Sequence, residues 1–234
     1  MKYALISSTA PKKCMDSLSA LGYTVLPLPP FEKLGKPVCT HADMLFFSYS
    51  DTVITHKEYY KRAREIFDTI CSDCRLKLVL TDDDIRPEYP RDIAFNAIAL
   101  GGVLYSNTPC TSSAVSDIFS ERVHVKQGYT ACSTLALSDS CVITSDPSLT
   151  RAYSQHGIKV CEIKSGGIAL APYDCGFIGG SSGVDGDTVY FTGSIDLHED
   201  GERIKSVIYE HNMKTISLSD DTLFDVGGIK FFHL

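Results

Sequence analysis

Short apolar runs and amphipathic stretches alternate along the chain in an order that recurs every 40 to 50 residues or so, roughly the period of a repeated supersecondary unit. The clearest copy is CVITSD (Cys141 to Asp146), a helix predicted over Pro147 to Gln155, then GIKVCEI (Gly157 to Ile163). A second runs YALISS (Tyr3 to Ser8), a helix around Lys12 to Ala20, then GYTVLPL (Gly22 to Leu28). A third runs TVYFTG (Thr188 to Gly193), a helix from Gly201 to His211, then MKTISL (Met213 to Leu218). Two looser copies lie between, MLFFSYS (Met44 to Ser50) to LKLVL (Leu76 to Leu80), and GGVLYSN (Gly101 to Asn107) to VHVKQ (Val123 to Gln127).

Self-similarity of this kind implies one unit repeated around an axis or along a solenoid, with a site that collects residues from several units. Strands rich in Val, Ile, Tyr and Phe alternating with helices indicate an α/β fold. The segments richest in turn-forming residues are PLPPFEKLGKP (Pro27 to Pro37), TDDDIRPEYP (Thr81 to Pro90) and SGVDGD (Ser182 to Asp187), and each falls between units. A single domain over residues 1–234 is the simplest organisation. The competing arrangement, a Rossmann-type fold with a coincidental repeat, requires one continuous parallel sheet, and no G-x-G-x-x-G supports a nucleotide there.

Composition narrows the function classes. The chain is 44% hydrophobic and 22% charged, as ordinary globular proteins are. A net charge of −7 argues against a nucleic-acid or anionic-membrane surface. The densest basic run, KEYYKRAR (Lys57 to Arg64), reads as the solvated face of an amphipathic helix. Neither a signal-peptide pattern nor an apolar run of membrane-spanning length occurs, so a cytoplasmic setting with nine reduced cysteines is expected. Cys71 and Cys74 form a lone C-x-x-C without the second pair a structural zinc site needs, and no other motif calls for a metal or cofactor.

The segment YPRDIAFNAIALGGVLYSN (Tyr89 to Asn107) resembles a landmark of the pentein superfamily, the guanidino-group-modifying enzymes. The resemblance implies a five-bladed α/β-propeller of repeated ββαβ units with a site in its central channel. It also implies a small guanidino or amino-acid-like ligand, with Asp92 as the carboxylate that accepts forked N–H donors and Asn96 as an auxiliary amide. The superfamily's hydrolases use a C-terminal Cys after a glycine-rich strand entry. Here FDVGGIKFFHL keeps Gly227 and Gly228, but Lys230 and Phe231 stand where the thiol belongs. The fourth-unit stretch GFIGGSSGVDGDTVYF lacks the family's His, and His198, past that strand, is expected at the surface.

Other chemistry remains open. Cys132 in QGYTACST follows a Gly-containing turn, where a thiol can be exposed and activated. His41 and Asp43 stand two apart before a strand; on an extended segment they would point the same way, as base and orienter. Asp51, at that strand's far end, is a further acidic candidate. The glycine-dense GFIGGSSG, with Gly179, Gly180 and Ser181, could offer backbone N–H groups to an anion. Two alternatives accompany the ligand-binding reading: an active C–N hydrolase working through Cys132 and His41, and a non-catalytic interaction protein such as the pentein-fold translation initiation factor 6. The sequence carries no mark of oligomeric state.

Overall fold

The computed structural model describes all residues, 1–234. The chain opens with β1 (Lys2–Ser7), α1 (Lys12–Ala20) and β2 (Thr24–Leu28), in which β1 and β2 pair in parallel. A single-turn helix α2 (Ala42–Leu45) leads into β3 (Phe46–Tyr49), β4 (Thr52–His56), helices α3 (Lys57–Arg62) and α4 (Arg64–Asp73), and β5 (Lys77–Thr81). Then come β6 (Ile98–Leu100), β7 (Val103–Ser106), α5 (Ser113–Ser116) and β8 (Glu121–His124). They are followed by β9 (Thr134–Ser138), β10 (Cys141–Thr144), α6 (Pro147–Gln155) and β11 (Lys159–Glu162). After the short β12 (Ile168–Ala169) come β13 (Ser182–Asp185), β14 (Thr188–Phe191), α7 (Gly201–Glu210) and β15 (Lys214–Ser217). The chain ends on β16 (Leu223–Phe224) and β17 (Lys230–His233).

These strands form five three-stranded sheets and one two-stranded pair, β12 with β16. Every three-stranded sheet has one plan: an antiparallel pair, a hairpin in four of the five, then a helical crossover to a parallel third strand. The first is completed from the far end of the chain, because β17 pairs antiparallel with β1. No continuous parallel sheet exists, which excludes the Rossmann arrangement.

The middle strand of each sheet is its most buried: Cys141–Thr144 and Thr188–Phe191 are buried at every position. Helices cover the sheets with apolar side chains one turn apart, Leu149 and Tyr153 on α6, and Ile204 and Ile208 on α7. The residue that ends a helix and enters the third strand adopts positive φ: Gly22, Gly157, Asn212 and Arg75. Glycine fills two of these positions because it meets no Cβ penalty there.

Three expectations change at this level. MLFFSYS is the first strand of its hairpin, and Thr52–His56 is the strand that leads into the helices. KEYYKRAR breaks at Ala63 into two helices, with Tyr59 and Phe67 fully buried beneath its exposed charges. His198 is 5% exposed, not at the surface, because its Nδ1 accepts the Asp200 N–H as the chain turns into α7. No helix is long and apolar enough to cross a membrane.

Candidate functional site

The segment just before the first strand of each sheet builds the centre of the molecule. Three residues ahead of those strands stand Asp43, Phe95, Ala131, Gly179 and Gly227, and two ahead stand Met44, Asn96, Cys132, Gly180 and Gly228. Hydrogen bonds pass from each segment to the next. The Asp43 N–H donates to Gly227 O at 3.2 Å, Gly228 N–H to Gly180 O at 2.8 Å, and Gly180 N–H to Cys132 O at 2.9 Å. Ala131 N–H then donates to Asn96 Oδ1 at 2.8 Å, and Asn96 Nδ2 reaches Met44 Sδ at 3.2 Å, beside Asp43. The circuit visits all five sheets and returns to its start.

Asn96 is the link made by a side chain. Its oxygen also lies 3.4 Å from the Cys132 N–H, and its amide also donates to Cys132 Sγ at 3.2 Å. Both acceptor sites and both donors of the amide are therefore used inside the protein. Cys132 donates its S–H to Asp43 Oδ2 at 2.7 Å, while Asp43 Oδ1 is buried with no partner. Burial, and secondly the charge of Asp225, raise the Asp43 carboxyl to about 7. Burial, then the charges of Asp43 and Asp225, push the Cys132 thiol well above its ordinary value, so it stays protonated.

His41 and Asp43 do not act as a pair. The segment is a single helical turn with His41 as its N-cap, and residues two apart on a helix point to different sides. His41 instead faces Asp225, Nδ1 to Oδ1, at 3.6 Å, and its Nδ1 has no hydrogen-bond partner. Burial lowers the imidazole to about 4, so at neutral pH this contact joins a neutral ring to a carboxylate and is not an ion pair. Asp225 accepts the N–H of Gly227 and of Phe177, each at 2.9 Å, while burial raises it to about 6.

The glycine-rich stretch does not offer its central N–H groups to an anion: Gly180 and Ser181 donate theirs to Cys132 O and Phe177 O, and the carboxylate beside them is the protein's own Asp225. Phe177 supplies one N–H to Asp225, and a Cβ on Gly180 would lie 2.0 Å from Asp225 Oδ1. Gly179 is similarly closed in, with Ala131 O and Thr134 O each 2.4 Å from where its Cβ would be. Ser181 is buried and donates to Ile178 O at 3.1 Å. Asp92 is 3% exposed and accepts the Tyr129 hydroxyl at 2.7 Å on Oδ2, with Oδ1 unpartnered. Burial raises its carboxyl. Asp51 lies away from this cluster, at the exposed turn between β3 and β4, where it accepts from Thr52 Oγ1.

Two cavities flank the Asp43–Cys132 contact. The larger, about 280 Å³, is lined by Asp43 and by the first strand of every three-stranded sheet, through Phe46, Ile98, Thr134, Ser182 and Lys230. The smaller, about 150 Å³, is lined by His41, Tyr129, Cys132, Phe177 and Asp225, with Val38, Leu170, Tyr173 and Cys175 around them. Asp92 lines neither and sits behind Tyr129. Asp225 and Tyr129 escaped the sequence reading, although both stand five residues before a first strand, as His41 and Phe177 do. Phe231 packs between the rings of Tyr23 and Tyr190, each centroid 4.9 Å away.

Comparison with solved structures gives the class. Agmatine deiminase of C. jejuni superposes with a TM-score of 0.57 at 9% identity, over 93% of this chain and 87% of its own. A dimethylarginine dimethylaminohydrolase from Pseudomonas aeruginosa, complexed with citrulline, gives 0.51 at 13% identity, over 93% and 91%. The inosamine-phosphate amidinotransferase of Streptomyces griseus gives 0.51 at 13% identity, over 91% and 74%. All three are penteins, and this mixed α/β architecture is a pentein fold. Within it, the chain belongs to the family described as "Family of unknown function (DUF6873)", whose model matches residues 5–230. No curated protein matches it in sequence.

Proposed function

We propose that this protein is a binding pentein, a five-bladed α/β-propeller of ββαβ units that takes a small guanidino or amidino cation in the smaller cavity without turning it over. The observation that carries this reading is His41 Nδ1, buried without a hydrogen-bond partner and 3.6 Å from Asp225 Oδ1, a carboxylate oxygen that takes one N–H, from Gly227, and keeps a second lone pair. Two N–H groups on one edge of a planar cation would satisfy both. The rings of Tyr129 and Phe177, 6.2 Å apart and inclined by 31°, offer that cation an aromatic wall. Nine free thiols fit the cytoplasmic setting expected for such a protein.

Hydrolysis through Cys132 is disfavoured by its surroundings. A nucleophilic thiol must be available as thiolate, whereas Cys132 keeps its proton, hydrogen-bonds through it to a carboxylate and makes no hydrogen bond to His41. Titration calorimetry with methylguanidine and agmatine tests the binding, and His41→Leu is expected to weaken it by about tenfold or more. Ammonia and citrulline assays are expected to give no enzymatic turnover. Turnover that survives Cys132→Ala would overturn the reading, as would the absence of any binding.

A further inference from the structure

The larger cavity has its own chemistry, separate from the acceptor pair that carries the proposed function. Asp43 stands on its wall, 3% exposed, with Oδ1 unpartnered although it is buried away from water. A buried carboxylate oxygen without a donor is costly, and it points to a donor that arrives from outside. The other oxygen is engaged by Cys132 and is directed to the smaller cavity's side of the contact. On the same wall lies Lys230, half-buried and taking part in none of the molecule's ion pairs. Phe46, Phe95 and Phe231 supply apolar surface to the same space.

A cation of one charge would satisfy Asp43 and leave the ammonium of Lys230, on the same wall, without a counter-charge. An anion would do the reverse. A molecule with an ammonium at one end and a carboxylate at the other answers both groups, with its methylenes against the aromatic rings. We infer that the larger cavity is a second site, specific for a small ω-amino carboxylate, whose ammonium meets Asp43 Oδ1 and whose carboxylate meets Lys230. The one lysine that lines this cavity thereby acquires a use.

The probes are a ladder of ω-amino acids from glycine to 6-aminohexanoate, with butylamine and butyrate as single-charge controls, measured by titration calorimetry on the full chain. One chain length is expected to bind about tenfold or more tighter than either control, because the two protein charges are fixed in position. Lys230→Met, which keeps the apolar stem, is expected to remove that advantage, so that the best ω-amino acid binds no tighter than butylamine does to the same variant. Asp43→Asn is expected to weaken both. The idea fails if no length exceeds the single-charge controls, or if Lys230→Met has no effect. It also fails if His41→Leu, or saturation with methylguanidine, abolishes ω-amino acid binding, since the molecule would then occupy the smaller cavity. Conversely, ω-amino acids that still bind when methylguanidine does not would leave this site standing without the first.

Discussion

Asp43 joins the two cavities, and its titration makes it testable on its own. The folded carboxyl holds its proton up to about 7, because burial and Asp225 disfavour the charge, while an unfolded aspartate releases it near the ordinary value of 3.8. Between those values the folded state binds the extra proton, so the contribution of Asp43 is fully present below the lower value and is lost as pH rises through the upper. His41, lowered to about 4 by burial, works in the opposite sense: the unfolded state binds its proton first as pH falls, and stability drops with acid. Asp225, raised to about 6, acts in the same direction as Asp43. Asp43→Asn should therefore remove one proton's worth of the decline between pH 4 and 7, and the variant should gain on the natural protein as pH rises. Urea midpoints across that range would show it, and parallel pH profiles for the two proteins would refute it. Asn96 makes a different statement. Replacing it with Ala strands the N–H of Ala131, leaves that of Cys132 without its weaker contact and removes the donor to both sulfurs. A loss of about 3 kcal/mol is expected by chemical denaturation, in line with buried groups left unpaired.

At the scale of elements, the helices with caps and strong faces were legible. Pro147 to Gln155 was read with the bounds it has, because Asp146 and Pro147 mark the start and Leu149 and Tyr153 carry the period. The cap is explicit in the structure: Asp146 Oδ1 accepts from Ser148 N at 2.8 Å and Leu149 N at 2.9 Å, and Oδ2 takes Gln127 Nε2 at 2.8 Å. Asp146→Ala should cost about 1 to 2 kcal/mol, more than a helix cap alone because Gln127 is released too; a thermal melt of the variant measures it. The first strands were harder to see. They are three to five residues long and none is followed by a helix, so Phe46–Tyr49 reads from sequence as the strand that leads into the helices, the place Thr52–His56 holds. That displacement hid the common offset at which His41, Tyr129, Phe177 and Asp225 precede their strands. The neighbour of His41 was likewise invisible, since Asp225 lies far along the chain and meets it only through the circle of units. Asp92 stood out because its neighbours match a known motif, yet local sequence carries no sign that Tyr129 would cover it.

At the scale of the whole molecule, the first sheet is assembled from both ends of the chain, and this gives the arrangement a consequence that separates topology from mere proximity. Lys2 pairs with His233 and Leu5 with Lys230, so the termini lie side by side in one antiparallel ladder. The circuit through the segments before the first strands runs across the same junction, from Asp43 to Gly227 and from Gly228 to Gly180. If the circle of units is what holds the fold, the covalent break between residues 234 and 1 can be moved without penalty, whereas any unit's strand cannot be deleted. Joining the termini through a linker of about four residues and opening the chain in the exposed Arg86–Glu88 segment should give a protein with nearly unchanged far-ultraviolet circular dichroism and a melting temperature within a few degrees of the original. Deleting residues 230 to 234 removes β17, uncovers β1 and takes Phe231 from between Tyr23 and Tyr190. That truncation should lose the cooperative transition altogether, because an unpaired β1 edge and an opened central cavity remain. A permutant that fails to fold while the truncation melts normally would show that β17 is an accessory strand and that the circle of hydrogen bonds is not what keeps the units together.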